Sequence, residues 1–350
     1  MNHLYMHCRP GFEKECAAEI TDIANDLGIY GYPKAEAGSA LVTYVTHEPE
    51  GALDLIRKLA FYKLIFVRQW FAGTAVELPD PSDRLTPLLA AAEALPNACD
   101  WWTETLDTND GKAMSALSKK FARPFAAGLK KRGLLKPGSP WRLHLVFISG
   151  NYALLGVAPV ANSAQWPMGI ARLRQPSQAP SRATLKLEEA WHHFIPAEDW
   201  DTRLTGGLRG IDLGAAPGGW TWQLVNRGMF VDAVDNGPMA ESLMETGQVT
   251  HHLEDGFIYQ PKKPVYWLVC DIADKPARVA NMIGERALDG QFKEAVFNLK
   301  LPMKQRYAEV VKLRDRLLDL FAEHDLKAEL AFKQLYHDRE EVTGHLRLLG

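Results

Sequence analysis

The feature that most restricts this chain is a strand-to-helix junction, Ile211-Asp212-Leu213-Gly214-Ala215-Ala216-Pro217-Gly218-Gly219-Trp220. An apolar strand running into a glycine-rich turn and a helix is the first unit of a doubly wound α/β sheet. The downstream pattern agrees. Strand-like runs near 208–213, 230–234, 249–253, 266–270 and 295–298 alternate with helical stretches opening at Trp220, Pro238, Pro276 and Lys304. Such alternation builds parallel strands joined by right-handed crossovers. The last two runs, 328–335 and 342–349, are joined only by 337–341, so they pair as a hairpin and make one strand antiparallel.

A doubly wound sheet binds its ligand at the first strand-to-helix turn. A dinucleotide asks for G-x-G-x-x-G, so that pyrophosphate can approach the helix N-terminus. Here Ala216 replaces the second glycine and Pro217 stiffens the turn. Asp212 at the strand end repels phosphate and suits a cationic ligand such as S-adenosyl-L-methionine. Asp235 closes the second strand, where a carboxylate takes ribose hydroxyls. Asp255 follows the third strand, placed to accept an adenine amino group. Gly214, Ala216, Pro217, Gly218, Gly219 and Trp220, with these carboxylates, therefore predict an S-adenosylmethionine site. Ser181 reads as the N-cap of a helix whose stripe Leu187, Ala190, Trp191 and Phe194 leaves Lys186 on another face.

The rest of the 350 residues divides by pattern. Residues 1–75 read βαββαβ, the order of a ferredoxin-like unit. Residues 84–161 form a second α/β piece with a basic helix, 112–132, and a hairpin. Residues 162–180, with Pro167, Pro176 and Pro180, read as an extended linker ahead of a domain at 181–350. Formal net charge is only -3, but Gly111 to Leu187 holds no Asp or Glu and thirteen Lys or Arg, leaving 27 basic and 43 acidic residues elsewhere. That asymmetry points to a polyanion partner for the middle of the chain. Lys119, Lys120, Arg123, Lys130, Lys131 and Arg132 share one helix with Phe121 and Phe125. The four cysteines, Cys8, Cys16, Cys99 and Cys270, have no zinc-ligand spacing, which predicts a reduced protein without a structural metal. No basic stretch with an apolar core opens the chain, and the longest apolar run, 143–160, is broken by Ser149-Gly150-Asn151. A cytoplasmic monomer without membrane spans is the expectation.

The run Asp212-Leu213-Gly214-Ala215-Ala216-Pro217-Gly218-Gly219-Trp220 resembles the motif of the FtsJ-type RNA ribose 2'-O-methyltransferases. The likeness is closest to members acting on large-subunit ribosomal RNA, through Cys8-Arg9-Pro10-Gly11-Phe12 near the start, Val234-Asp235-Asn236-Gly237-Pro238 and Gln334-Leu335-Tyr336-His337-Asp338-Arg339-Glu340-Glu341-Val342-Thr343. It spans nearly the whole chain. It implies a Rossmann-like seven-stranded methyltransferase domain behind ferredoxin-like and THUMP RNA-binding units. It also implies methylation of a cytidine 2'-hydroxyl in the peptidyl-transferase region of bacterial 23S rRNA, and a catalytic Lys-Asp-Lys-Glu set here represented by Lys186, Asp271, Lys300 and Glu341, with Asp271 also at the cofactor. Such relatives carry Cys at Ala216, where backbone groups do the binding, and Ser at Ala183, where this chain offers no hydroxyl.

A ribose hydroxyl is a poor nucleophile, so transfer benefits from a base. Lys300 at a strand end is the candidate. An ordinary lysine at about 10.4 is protonated at neutrality, and bringing it to about 7 takes about 4 kcal/mol. Desolvation and the neighbouring cation Lys186 act in that direction, whereas carboxylates oppose it. Strand alternation lets only one of Glu340 and Glu341 face the site, and the Glu-Val-Thr register favours Glu341. His337 reads as a surface histidine, and Asn298 and Pro302 as shaping the Lys300 loop. Two other classes remain open: a non-catalytic RNA-binding assembly factor, and a base methyltransferase, which would more often carry Asn-Pro-Pro-Tyr or a nucleophilic Cys where Cys270-Asp271-Ile272-Ala273 stands.

Overall fold

The βαββαβ order at the start of the chain folds as the pattern predicts but does not close on itself. The computed structural model describes residues 1–350 and divides into two units, Met1–Ile170 and Ala171–Gly350. In the first, β1 (His3–His7), α1 (Glu13–Asp26), β2 (Gly31–Ala35), β3 (Leu41–Thr46), α2 (Gly51–Lys58) and β4 (Gln69–Glu77) are followed by α3 (Leu85–Glu93), β5 (Asp100–Glu104), α4 (Asn109–Lys131), β6 (Trp141–Ser149) and β7 (Tyr152–Pro159). All seven strands form one sheet, ordered β2-β3-β1-β4-β7-β6-β5.

The two pieces expected at 1–75 and 84–161 thus share a sheet. The seam is β4, which extends to Glu77 and pairs antiparallel with β7 from Ala72↔Val157 to Glu77↔Tyr152. Gly73 and Gly156 face each other across it. A Cβ on Gly73 would lie 2.1 Å from the Leu155 carbonyl oxygen, so glycine is required for the close approach. On α4, Phe125 and Leu129 point into a core with Leu88, Leu89, Leu143, Leu145 and Phe147, and Phe121 packs on it. Lys119, Lys120, Arg123, Lys130 and Lys131 are left exposed. The aromatics on this helix therefore serve packing.

The expected linker is shorter than 162–180, because its first residues are built into this unit. Asn162 accepts from Phe61 N at 2.7 Å and donates to the Ile56 and Leu59 carbonyls at 2.8 and 2.9 Å, while Trp70 Nε1 donates to its carbonyl at 2.7 Å. Met168 and Ile170 are buried. A polar side chain that satisfies three backbone groups around a helix end fixes a segment that composition alone presents as loose.

The second unit begins with α5 (Thr184–Phe194) and α6 (Trp200–Arg203). It continues through β8 (Arg209–Leu213), α7 (Gly219–Asn226), β9 (Phe230–Val234), α8 (Glu241–Met244), β10 (Val249–His252), β11 (Val265–Cys270), α9 (Pro276–Leu288), β12 (Phe292–Lys300), α10 (Arg306–Glu323), β13 (Ala328–Lys333) and β14 (Glu341–Leu348). The sheet order is β10-β9-β8-β11-β12-β14-β13. Neighbours from β10 to β12 are parallel, and β14 inserts antiparallel between β12 and β13. Leu187, Ala190 and Trp191 of α5 and Trp220 and Leu224 of α7 pack on Val231, Trp267, Val269 and Val296. Ser181 does not cap α5: the N-cap is Ala183, without a side-chain hydrogen bond, and the Ser181 hydroxyl is buried beside Gly219. No helix is long and apolar enough to cross a membrane.

Candidate active site

The carboxyl ends of the parallel strands are where side chains converge. Gly214 follows β8 with φ +76°, and Gly218 opens α7 with φ +116°, both in the left-handed region that favours glycine. A Cβ on Gly218 would also lie 2.3 Å from a Leu243 methyl, and one on Gly219 2.3 Å from the Ser181 hydroxyl. The turn is therefore closed around backbone, with Ala216 and Pro217 between the glycines. Ala216 donates its N–H to Asp235 Oδ2 at 3.0 Å, and Gly237 donates to Oδ1 at 2.7 Å. Those two bonds orient the half-buried Asp235 carboxylate at the end of β9 and leave it further lone pairs. Asp255, after β10, is exposed and accepts from Phe257 N at 2.9 Å.

Two residues of the expected cofactor set sit differently from that expectation. Asp212 is buried rather than open at the strand end, and Thr221 Oγ1 donates to it at 2.6 Å. Burial pushes its carboxyl up to about 7, with Asp271 and Asp235 adding to the effect and the Thr221 bonds opposing it. The Trp220 ring lies in the core, and its indole N–H donates to the Ala183 carbonyl at 2.9 Å. It ties the start of α7 to the start of α5. Asp235, Asp255 and Asp271 nonetheless follow the ends of β9, β10 and β11 at one edge, an acceptor set suited to a cationic, hydroxyl-bearing ligand such as S-adenosylmethionine and hostile to pyrophosphate.

Lys186, Asp271, Lys300 and Glu341, separated by up to 155 residues, meet at this edge. Lys300 and Glu341 are direct partners across the β12–β14 ladder. Glu341 is buried and takes Lys300 Nζ at 2.5 Å on one oxygen and Lys186 Nζ on the other. Lys186 also reaches Asp271 Oδ2 at 3.4 Å. Burial works against both charges, yet the carboxylates hold the Lys186 ammonium above the usual lysine range, and the lysines hold Glu341 below the usual glutamate range. Glu340 turns outward to Arg306 at 2.7 Å. The Lys300 side chain keeps 35% of its surface exposed, against 14% for Lys186, so Lys300 is the member open to a substrate.

The surrounding frame adds Glu189, which no motif marks, and shows His337 to be a part-buried partner of it and not the surface histidine expected. Glu189, one turn beyond Lys186, accepts from the Tyr336 and His337 backbone N–H groups at 2.8 and 3.0 Å and from His337 Nδ1 at 2.6 Å. His337 is thus an anchor between α5 and the β13–β14 hairpin. Asn298 donates to Asp271 Oδ1 at 2.8 Å and accepts from Thr343, which also touches Asp338. The two-residue period of β12 and β14 is the signal that could have found them, since it puts Asn298 and Thr343 on the same face as Lys300 and Glu341. Cys270 is buried, which pushes its thiol up to about 12 and makes it a core residue rather than a nucleophile.

Comparison with known proteins agrees along the whole chain. Residues 1–71 match the RlmM ferredoxin-like domain, 83–159 the N-terminal region of ribosomal RNA large subunit methyltransferase M, and 179–319 the FtsJ-like methyltransferase family. The ribosomal RNA large subunit methyltransferase M of Cellvibrio japonicus is 62% identical, over 99% of this chain and 100% of its own. That of Pseudomonas fluorescens is 55% identical, over 100% and 98%. Among solved structures, Aeropyrum pernix fibrillarin with natively bound S-adenosyl-L-methionine aligns at 13% identity and TM-score 0.34, over 58% of this chain and 81% of that one.

Proposed function

Because the chain belongs to the ribosomal RNA large subunit methyltransferase M family, whose methyl donor is S-adenosyl-L-methionine, we propose that it methylates the 2'-hydroxyl of a cytidine in the peptidyl-transferase region of bacterial 23S rRNA, with Lys300 as general base. The observation that carries this reading is that Lys300, the most exposed of the four, is held by a buried glutamate that it shares with Lys186. Glu341 and Asp271 share Lys186 between them, which leaves Lys300 held by Glu341 alone. Glu341 then holds the amine in place, and Asp271 holds Lys186.

Bound cofactor supplies an electrophilic methyl group on a sulfonium. When the ribose oxygen is methylated at the expense of the sulfonium's methyl–sulfur bond, Lys300 Nζ would take the hydroxyl proton. Asp235 and Asp255 fit the ribose and adenine ends of the cofactor by their free acceptor positions, and Gly214, Ala216, Pro217, Gly218 and Gly219 line its approach with backbone.

The first unit serves as the RNA-capturing part, in the role expected of a THUMP domain, with the exposed lysines of α4 meeting phosphates. Lys130, Lys131 and Arg132 replaced together by Ala should weaken RNA binding and flatten its salt dependence by about 2 log units per log unit of salt, at about 0.7 to 0.9 per lost phosphate contact. An unchanged slope means the patch faces only solvent. Arg132 is the least available of the three, being paired with Glu93 at 2.6 Å. We assign the protein to the cytoplasm, where rRNA is modified, as a monomer.

The decisive experiment is mass-spectrometric mapping of ribose methylation in rRNA from cells lacking the gene, complemented with wild-type or Lys300→Ala protein. The expected result is one 2'-O-methylcytidine restored by wild type only. A methyl found on a base, or full restoration by Lys300→Ala, overturns the reading.

A further inference from the structure

Behind the four-residue cluster lies a buried chain of hydrogen bonds whose protons can be counted. Asp338, Thr343 and Asn298 are each fully buried. Thr343 Oγ1 lies 2.8 Å from Asn298 Oδ1 and 2.9 and 3.1 Å from the two oxygens of Asp338. Asp338 Oδ2 also accepts from Leu335 N at 2.9 Å. The orientation of Asn298 is fixed from its other side: Asp271 is engaged by Lys186 and can only accept, so the Asn298 amide must donate to it and present its carbonyl to Thr343. Thr343 has a single proton. Were Asp338 ionised, that proton would face three acceptor atoms at once, and whichever it chose, either Asn298 or Asp338 would confront the hydroxyl oxygen lone pair to lone pair in a site without water contact.

We propose that Asp338 is held as the neutral carboxylic acid and acts as a positioning residue for Asp271: Asp338 Oδ1–H donates to Thr343, Thr343 donates to Asn298, and Asn298 donates to Asp271. Each hydrogen bond in the chain then has one donor and one acceptor. The charged groups facing Asp338 are Glu341 on β14 and Lys186 and Glu189 on α5. Burial leads the forces that push its carboxyl well above the usual carboxylate range, the two glutamates add to it, and the Leu335 N–H and Lys186 oppose it. Neutrality has a chemical consequence. Lys186 and Lys300 are balanced by Asp271 and Glu341, and a third anion would strengthen the hold on the proton that Lys300 must lose. The location of the proton stands on the hydrogen bonds alone; its effect on catalysis rests on the reading of the cluster as the methyl-transfer site.

The test compares urea denaturation of wild type and Asp338→Asn from about pH 5.5 to about pH 8.5. An unfolded Asp is ionised throughout that range, so folding of the wild type takes up a proton and its folding constant falls with rising pH. Asp338→Asn lacks this term while reproducing each hydrogen bond of the acid. The stability of the variant relative to wild type should therefore rise by up to about tenfold in folding constant per pH unit. A gap that does not change with pH, or a variant that fails to fold at every pH, overturns the proposal. In full-length enzyme, Thr343→Val should lower kcat about tenfold with cofactor affinity unchanged, and Thr343→Ser should restore it. Undiminished methylation by Thr343→Val, with the pH-dependent gap intact, overturns the catalytic reading of the cluster and leaves the proton where it is placed.

Discussion

Glu294 and Glu341 lie near opposite ends of the same β12–β14 ladder, and each gathers basic side chains, yet one end is locked and the other open. Glu294 is fully buried, takes Arg203 through Nε at 2.8 Å and Nη2 at 2.6 Å, and also accepts from His345 at 3.0 Å and Tyr266 at 3.0 Å. Burial opposes its charge, but the His345 and Arg203 bonds outweigh it and hold the carboxyl down to about 2. Glu341 takes two lysines, one of them partly exposed. The difference is the head group. A guanidinium forks onto both carboxylate oxygens and does not give up its proton, whereas an ammonium is a point charge that can. A buried glutamate is a clamp when it is forked by arginine and a candidate proton-transfer site when it is held by lysines.

That contrast can be broken most sharply by Lys300→Met, expected to lower methyl transfer on the order of a thousandfold while the unfolding midpoint stays near wild type. A loss of activity matched by a loss of fold would make the open end structural too. Glu294→Gln should do the opposite, costing about 3 kcal/mol of stability because the buried Arg203 charge keeps only the partly exposed Asp199 as a charged partner, with activity of the folded fraction retained. Acid titration sharpens the point. With a folded value of about 2 against an ordinary 4.5, Glu294 contributes about 3 kcal/mol that is present above about pH 4.5 and lost as pH falls toward 2. The stability gap between wild type and Glu294→Gln should shrink over that window, and a constant gap would refute the ion pair as its source. The smallest effect is expected for Arg203→Lys, which keeps the charge but loses the fork, at about 1–2 kcal/mol by chemical denaturation.

The sequence made the open end legible and hid the closed one. Alternation from Ile211 onward gave the parallel sheet, the hairpin gave the antiparallel strand, and the two-residue period chose Glu341 over Glu340. Lys186 and Asp271 were recognisable only through family resemblance, since nothing local distinguishes a lysine in a helix from a solvated one. Asp338 sits in a turn, where no period tells which way a side chain points, and Arg203 lies in a four-residue helix too short to show a stripe. The β4–β7 seam was invisible for a different reason: pairing between strands about eighty residues apart depends on two glycines meeting, and each alone reads as a weakness in its strand.

The shared rung of Lys300 and Glu341 also settles when the chemistry is assembled. Their separation is dictated by strand spacing in a sheet and needs no loop to close. The protein carries the pair in contact, so if Lys300 is the base, the reorganisation energy of that step is met during folding and not in each turnover. On the proposed reading, whatever moves when RNA is captured would have to carry the ribose to a lysine already in place.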